Sequence, residues 1–362
     1  MTAAGTDTPV AAELPGPAAP VAAVASVTAA PVAQTVQVVP VAPVAPVVPA
    51  ALPVTPAVPA DPVAPPARTS VPSMVSKLGT REVRFVALGD SLTAGLGDPV
   101  PGGWRGWAAL LATSLAAEPS DVRMINCSRS GALTKDVAEE QLKEALSHRP
   151  HIASVVVGAN DTLRGSFDIG TVARRLDVVV SQLRAHGAVV LTACLPDPGR
   201  MLGLPWPLAR PLGRRMAELN AVVHALSERY GAVHLHAARH SWVADRTSWS
   251  ADKLHPSELG HRLLAREFHK LLVAEGLPVG EPPSTVPGGP GPSTAASVLW
   301  MATKGTRWVV ARCTDLLPDL MRLAGQEARH RLAGTDGLLD VRSRHATELA
   351  LARLSGVTPT TT

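Results

Sequence analysis

The chain has 362 residues, of which 18% are charged and 3% are aromatic, and its formal net charge is +4 at pH 7. Its arginines are scattered, so the sequence lacks the combined basic and aromatic patch that is typical of nucleic-acid-binding proteins. Three cysteines, Cys127, Cys194 and Cys313, lie far apart. This usage indicates reduced thiols and a cytoplasmic location.

Residues 1–78 are rich in Pro, Ala and Val. Sixteen of the 34 prolines precede residue 74, and this stretch has no Phe, Trp or Tyr. Because proline removes backbone donors and small side chains bury little area, we predict a disordered tail without a core. Met74 directly precedes the folded segment, and we hypothesise that it is the true start. From the sequence we also expect no secretory leader, and no apolar run reaches the roughly 20 residues that would span a membrane.

Residues 79–278 form the predicted globular domain, in which apolar runs alternate with segments of helical periodicity. The predicted strands are Val83–Leu88, Val122–Asn126, Ile152–Val157, Ala188–Leu195 and Ala232–His236. The predicted helices are Trp107–Ala117, Thr134–Leu146, Val172–Ala185, Pro211–Tyr230 and Pro256–Glu275. Continuous apolar strands that alternate with helices indicate an α/β fold with a parallel sheet covered on both faces.

The remaining chain is predicted to be a linker over residues 279–296 and a helical extension over residues 297–362, frayed at its end. The pattern from Val298 to Leu332 is helical, and Pro318 is expected to break it. We interpret this extension as a helical pair that packs on the main domain or on a partner. A helix lying on a membrane surface is the alternative.

Polar motifs directly follow the first three predicted strands, and a fourth motif comes later in the chain, after the fifth strand. They are Gly-Asp-Ser-Leu at 89–92, Ser-Gly at 130–131, Gly-Ala-Asn-Asp at 158–161 and Asp-x-x-His at 252–255. In an open parallel sheet the carboxyl ends of the strands share one edge, where ligand crevices open. We therefore expect these four segments to converge.

The converging residue types suit ester chemistry. A serine hydroxyl attacks only when a base takes its proton, and His has a suitable pKa for that task. An acid must orient the imidazole, and donors must meet the oxyanion. Taken singly, each residue is commonplace, because a serine between a strand and a helix is usually a cap or turn residue.

Three other kinds of site are not expected. Ser91 lacks the G-x-S-x-G motif of α/β-hydrolases, and Gly95 does not lead into the G-K-[ST] of a phosphate-binding loop. His234 and His236 point to one strand face, but the sequence shows no Cys or carboxylate cluster that completes a metal ligand set. We expect no metal and no cofactor.

These four motifs, in this order, resemble the blocks of the SGNH hydrolases, also called the GDSL family. The resemblance covers about residues 83–275. It implies a flavodoxin-like three-layer α/β/α sandwich with a five-stranded sheet in the order 2-1-3-4-5. It also implies a serine esterase or acylhydrolase with Ser91 as nucleophile, His255 as base and Asp252 as its orienting acid. The backbone N–H groups of Ser91 and Gly131 and the side chain of Asn160 would form the oxyanion hole.

The substrate is less well defined by the sequence. Trp104, Arg129, Leu202 and Trp206 are candidate pocket residues, and the apolar stretch 198–208 could form a lid or an acyl wall. If so, short to medium acyl esters or lysolipids are favoured. The alternative class of function is an inactive scaffold that holds partners through its two tails.

Overall fold

The computed structural model describes residues 82–277, 279–288 and 306–354. The predicted disordered tail, Met74 and residues 289–296 of the predicted linker lie outside the described residues. No helix in the described ranges is both long and apolar enough to span a membrane.

Five parallel strands form the central sheet. They are β1 Val83–Gly89, β2 Val122–Asn126, β3 Ile152–Val156, β4 Val189–Ala193 and β5 Val233–Leu235. Their order is β2-β1-β3-β4-β5, and every neighbouring pair is parallel. Every residue of β3 and β4 is buried, as expected for strands with helices on both faces. The predicted α/β fold is confirmed.

Helices connect and cover the strands. They are α1 Ser91–Ala94, α2 Gly106–Ala112, α3 Thr134–Asp136, α4 Leu142–Ser147, α5 Ala159–Thr162, α6 Ile169–Ala185, α7 Pro198–Met201, α8 Trp206–Tyr230, α9 Glu258–Ala274, α10 Thr306–Leu332 and α11 Asp336–Leu354. A π-helical turn, Val137–Gln141, joins α3 to α4. Short 3₁₀ turns are Pro119–Asp121, Ala237–Arg239, Ser241–Ala244 and Arg246–Ser248, and Pro99–Val100 pairs with Gly103–Trp104 in a small hairpin.

The helices form two layers around the sheet. Helices α2 and α9 pack together, with the Trp107 ring stacked 4.9 Å from the Phe268 ring. Helices α4, α6 and α8 form the other layer. Both rings of the stacked pair are fully buried, so they anchor α9, which follows the predicted base His255, to the segment that follows Ser91.

Two prolines lie inside helices where the sequence predicted a start or a break. Helix α8 begins at Trp206 rather than Pro211, and α10 runs through Pro318. The predicted break at Pro318 is therefore wrong. A proline removes one backbone hydrogen bond from a helix, but packing can compensate for that loss. Helix α10 packs along α8, which supplies such support.

The C-terminal helices α10 and α11 pack on the outer side of α8, and α11 also contacts α6. Charged groups join them: Arg214 of α8 lies 3.1 Å from Glu327 and 2.8 Å from Asp340. The Glu327 side chain is 1% exposed and forms ion pairs with this arginine and with Arg210, which lies 3.4 Å away. In the described residues the extension packs on the main domain, which is one of the placements that the sequence left open.

Residues 279–288 of the predicted linker have no regular secondary structure but follow the domain surface. The Gly280 N–H donates to the carbonyl of Ser114 at 2.9 Å, and His269 Nε2 donates to the Gly280 carbonyl at 2.9 Å. The Gly288 N–H donates to Glu258 at 2.8 Å. This first part of the linker is therefore held against α9.

Candidate active site

Ser91 lies at the junction between β1 and α1. Asp90 caps α1, because its carboxylate accepts the Leu92 N–H at 3.0 Å. Gly89 ends the strand where a Cβ atom would lie 2.4 Å from the Val156 carbonyl oxygen, so only glycine fits. The sharp turn after Gly89 places Ser91 at the carboxyl edge of the sheet.

His255 and Asp252 complete a hydrogen-bonded chain with Ser91. The Nε2 atom of His255 lies 2.7 Å from the Ser91 Oγ atom, and Nδ1 lies 2.7 Å from Asp252 Oδ2. With its proton on Nδ1, the imidazole donates to Asp252 and accepts from Ser91. This is the arrangement that prepares a serine hydroxyl for attack.

Asp252 is ionised in this arrangement. Burial raises the pKa of its carboxyl, but the hydrogen bond from His255 and the backbone N–H donors of Leu254 and His255 outweigh burial and hold that pKa at about 2. The Ser250 hydroxyl also donates to Asp252 at 2.7 Å. The acid is therefore fixed in place and carries the negative charge that favours an imidazolium.

Donor groups meet Ser91 from both neighbouring strands. Because β1 lies between β2 and β3, Gly131 from the loop after β2 and Asn160 in α5 line the same cavity as Ser91. In the part of the chain that the structure describes, the N–H groups of Ser91 and Gly131 have no protein acceptor. The Asn160 side-chain amide donates to the Ala132 carbonyl at 3.1 Å, and its contact with Asp90 is a long 3.5 Å. The amide proton that faces Asp90 is therefore the one that is available to donate to a substrate oxygen.

Gln141, which the sequence analysis did not single out, supports the nucleophile turn. Its side-chain amide accepts the Gly89 N–H at 2.8 Å and donates to the Gly89 carbonyl at 2.9 Å. The side chain is fully buried and lies in the π-helical turn, a feature often found at functional sites. Its only sequence signal was a polar residue in an otherwise buried helical position.

Two buried carboxyl groups hold the loops rather than contact the serine. Burial raises the pKa of Asp90 to about 6 and also raises the pKa of Asp161. Asp161 accepts hydrogen bonds from the hydroxyl and the N–H of Thr134, at 2.6 and 3.0 Å. These contacts give both residues a structural role in the loops of the site.

The loop that carries Ser91 contacts the segment that carries His255. At Gly97, with φ of +101°, a Cβ atom would lie 1.9 Å from the Pro256 carbonyl oxygen. His261 of α9 donates from Nε2 to the Leu96 carbonyl at 2.9 Å and accepts the Trp107 N–H on Nδ1 at 3.1 Å. Burial lowers the pKa of His261 to about 4, so it is neutral at pH 7. These contacts fix the distance between nucleophile and base.

The cavity beside Ser91 has a volume of about 150 Å³. Its walls are mainly apolar, and its lining includes Val156, Leu163, Leu195, Met201, Met216, Trp242, Trp249 and Leu254. An open groove of about 1160 Å³ adjoins it and shares Leu195, Met201, Met216 and Trp249.

The four candidate pocket residues do not line this cavity. Trp104 lies in the small hairpin and is 48% exposed, and Arg129 is an exposed partner of Glu140. Trp206 begins α8, where the Arg331 guanidinium lies 4.5 Å from its ring centre, so this residue packs with the C-terminal extension. Only Leu202 comes close, because it lines the adjoining groove.

The tryptophans at the cavity are Trp242 and Trp249, whose ring centres lie 6.1 Å apart. They come from the irregular segment after β5, in which the sequence showed no periodic pattern. The stretch 198–208 is also not a loop throughout, because α7 and the start of α8 occupy most of it. Met201 of α7 does contribute to the cavity wall.

One group of side chains away from the cavity could hold a metal ion. The ligand atoms of Cys194, His234 and His236 all lie within 4.8 Å of one another. The prediction that no cysteine completes a metal ligand set around His234 and His236 is therefore wrong. The partner was missed because Cys194 follows β4 and is adjacent to β5 only through strand pairing.

Comparison with known proteins agrees with the arrangement of the motifs. Residues 87–263 match the model of the GDSL-like Lipase/Acylhydrolase family, and this range contains Ser91, Gly131, Asn160, Asp252 and His255. The domain belongs to this family. Within the GDSL domain, the four motif blocks occupy the positions described above.

Among curated proteins, the chain is 30% identical over 195 residues to the GDSL-like esterase Rv1075c of Mycobacterium tuberculosis, a match that covers 51% of this chain and 60% of that protein. It is 32% identical over 108 residues to an arylesterase of Vibrio mimicus, covering 30% of this chain and 52% of the relative. The matches thus span between about half and three fifths of these relatives.

Among solved structures, the GDSL domain is similar to the crystal structure of TesA, with 24% identity and a TM-score of 0.44. That match covers 53% of this chain and 99% of the TesA chain. A lipase/acylhydrolase from Enterococcus faecalis has 23% identity and a TM-score of 0.42, with 54% of this chain and 96% of that chain covered.

Proposed function

We propose that this protein is a serine ester hydrolase that works through an acyl-enzyme on Ser91. The observation that carries the proposal is the hydrogen-bonded chain from Ser91 through His255 to Asp252, which ends at an apolar cavity. The family membership of the domain and the esterase names of its relatives support it.

In the proposed first step, the Ser91 oxygen attacks the ester carbonyl carbon while its proton moves to Nε2 of His255. The negatively charged Asp252 stabilises the imidazolium that results. The carbonyl oxygen becomes an oxyanion, which the N–H groups of Ser91 and Gly131 and the Asn160 amide meet. A single donor of this kind commonly contributes about 3 kcal/mol to transition-state stabilisation.

In the following steps, His255 returns its proton to the alcohol oxygen, the bond from the acyl carbon to that oxygen breaks, and an acyl-enzyme remains. A water molecule then gives its proton to His255 and its oxygen to the acyl carbon. Collapse of the second tetrahedral intermediate releases the acid and restores the Ser91 hydroxyl. No step needs a metal or a redox cofactor.

The cavity favours esters with short to medium acyl chains. A cavity of about 150 Å³ holds roughly ten water-sized groups, since one water needs about 10–15 Å³. The apolar walls around Met201, Met216 and Trp249 suit an alkyl chain. The adjoining groove would take the alcohol side, including the larger head of a lysolipid.

The test compares two serines of the same cavity. Ser91→Ala should lower kcat for a p-nitrophenyl ester by about 10⁶-fold and abolish labelling by a fluorophosphonate probe. Ser130→Ala changes a serine that also lines the cavity but has no contact with His255, so it should keep both properties. Circular dichroism and Tm would establish that both variants fold.

An inactive scaffold would give the opposite result, with no labelling of the folded wild-type protein. Undiminished turnover by Ser91→Ala would equally refute the proposal. The acyl preference needs a separate series of p-nitrophenyl esters from acetate to laurate, with acetylated xylan beside it. We expect maximum kcat/KM at short to medium chains, and a preference for the acetylated polysaccharide would contradict that part.

A further inference from the structure

A cluster of one cysteine and three histidines lies at the carboxyl ends of β4 and β5. His234 lies opposite Thr192 in the strand register, and the Cys194 N–H donates to the Leu235 carbonyl at 3.0 Å. Cys194 therefore lies beside His236. Because side chains alternate along a strand, Cys194, His234 and His236 share one face.

The side chains of this cluster approach at distances that suit a common ligand. Cys194 Sγ lies 3.1 Å from His234 Nε2, and the ligand atoms of these two residues and His236 all lie within 4.8 Å of one another. A third imidazole, His224 of α8, has its ring centre 5.3 Å from that of His234 and 5.2 Å from that of His236.

The opposite nitrogen of His234 is already held. Its Nδ1 atom lies 2.9 Å from the Thr192 hydroxyl and 3.2 Å from the Ser227 hydroxyl. Both hydroxyl-bearing residues are buried, with 3% and 2% exposure. Outer hydrogen bonds of this kind fix the proton on one ring nitrogen and direct the lone pair of the other, here toward Cys194.

We propose that Cys194, His234 and His236 bind a thiophilic divalent cation, with Zn²⁺ as the best fit, and that His224 turns inward as the fourth ligand. Zn²⁺ in structural sites takes four thiolate and imidazole ligands in a tetrahedron. Coordination forms the metal–sulfur bond and releases the thiol proton of Cys194 to solvent.

The proposed ion is structural and does not depend on the esterase activity. None of its four ligand residues lines the cavity beside Ser91. It joins the end of β4, the end of β5 and α8, whose side chains already meet here through hydroxyl and thiol contacts. A metal ion that binds the native state but not the unfolded state raises Tm.

The experiment uses the full, tag-free chain after dialysis against a chelator. Zn²⁺ is titrated by calorimetry, and Co²⁺ is added separately to read the near-ultraviolet thiolate-to-cobalt absorption. We expect one equivalent of Zn²⁺, a thiolate band with Co²⁺ and a higher Tm with Zn²⁺. Cys194→Ser and His236→Ala should each lose the Co²⁺ band or the binding, and Thr192→Val should weaken Zn²⁺ affinity about tenfold.

Cys127→Ser is the matched control, because Cys127 is also a buried free thiol near a strand end. It should keep the stoichiometry and the Co²⁺ band. The proposal is overturned if the wild-type chain binds no Zn²⁺, or if binding survives both Cys194→Ser and His236→Ala. Binding that disappears in His255→Ala but not in Cys194→Ser would place the ion on the catalytic chain and would equally overturn it.

Discussion

Asn160 is the residue whose geometry most directly limits the proposed chemistry. One proton of its amide is engaged by the Ala132 carbonyl at 3.1 Å, which orients the side chain, while the 3.5 Å contact with Asp90 is weak enough to yield. The second proton has only this weak contact and is thus available to a developing oxyanion. The cost of orienting the donor is met in folding and not during the reaction.

We therefore expect Asn160→Ala to lower kcat by about 10²–10³-fold while KM changes little, since the lost contact forms only in the transition state. Steady-state kinetics with a p-nitrophenyl ester would measure both constants. A raised KM with unchanged kcat would mean that Asn160 binds the ground state instead.

For single residues, a role in the site could be predicted where the residue lies within a motif. It could not be predicted where the residue acts through a partner far away in the sequence. Ser91 lies in a motif directly after a strand end, Asp252 and His255 share one short motif, and the structure brings the three within hydrogen-bond reach of each other. Gln141 is recognisable only from its contact with Gly89, 52 positions away. The cavity tryptophans lie in an irregular segment, where periodicity carries no information.

Between elements, a tight contact in the site joins the loop after α1 to the turn before α9. Gly97 is required there for two reasons, its left-handed φ of +101° and the lack of room for a Cβ beside the Pro256 carbonyl. Pro256 directly follows His255, so any displacement at this point moves the base.

Gly97→Ala should lower kcat/KM about a hundredfold, the usual effect of a misplacement of about 1 Å. Gly102→Ala is the matched control. It has a similar φ of +87°, but its added methyl would meet nothing within 4 Å. It should cost only the backbone strain, about 1–2 kcal/mol of stability, and leave kcat/KM near the wild-type value. Equal kinetic losses in the two variants would show that the contact with Pro256 is unimportant.

The accuracy of the predicted elements follows from how local their signals are. The buried strands were placed within one or two residues, because continuous apolar runs bounded by polar motifs have few alternative structures. The start of α8 was missed because Pro205, Pro207 and Pro211 suggested a loop. The helix nevertheless begins at Trp206, with α10 and α11 packed along it.

For the molecule as a whole, buried histidines make stability depend on pH. The pKa of His261 is lowered from 6.5 to about 4 by burial, so the native state binds fewer protons than the unfolded state between these values. The contribution of His261 to the free energy of unfolding is therefore complete above pH 6.5 and is lost as the pH falls to 4. A shift of this size corresponds to about 3 kcal/mol. Asp90, with its raised pKa of about 6, acts in the opposite direction.

Comparison with a variant isolates the contribution of His261. Gln in place of His261 can still donate to the Leu96 carbonyl and accept the Trp107 N–H, but it does not titrate. The stability advantage of the wild type over His261→Gln should shrink by about 2–3 kcal/mol between pH 7 and pH 4.5. Urea unfolding at the two pH values would measure the change. A constant difference would mean that the pKa of His261 is the same in the native and the unfolded state.

The sequence also left the placement of the C-terminal helices open at this scale. The periodic pattern predicted helices in the C-terminal extension, but the surface that these helices cover depends on matched charges in different parts of the chain. Glu327 meets Arg210 and Arg214, more than 100 positions earlier. Such pairings are invisible to local periodicity, which explains why a partner or a membrane surface remained alternatives.

The hydrogen bond between Ser91 and His255 joins residues that are 164 positions apart. Almost the whole sheet, from the end of β1 through β5, lies between them along the chain. The serine can acquire its reactivity only when that intervening sheet is assembled, and an unfolded chain retains an ordinary hydroxyl. Covalent labelling of Ser91 is therefore also a folding assay: its rate at each denaturant concentration should report the fraction of molecules whose entire domain is native.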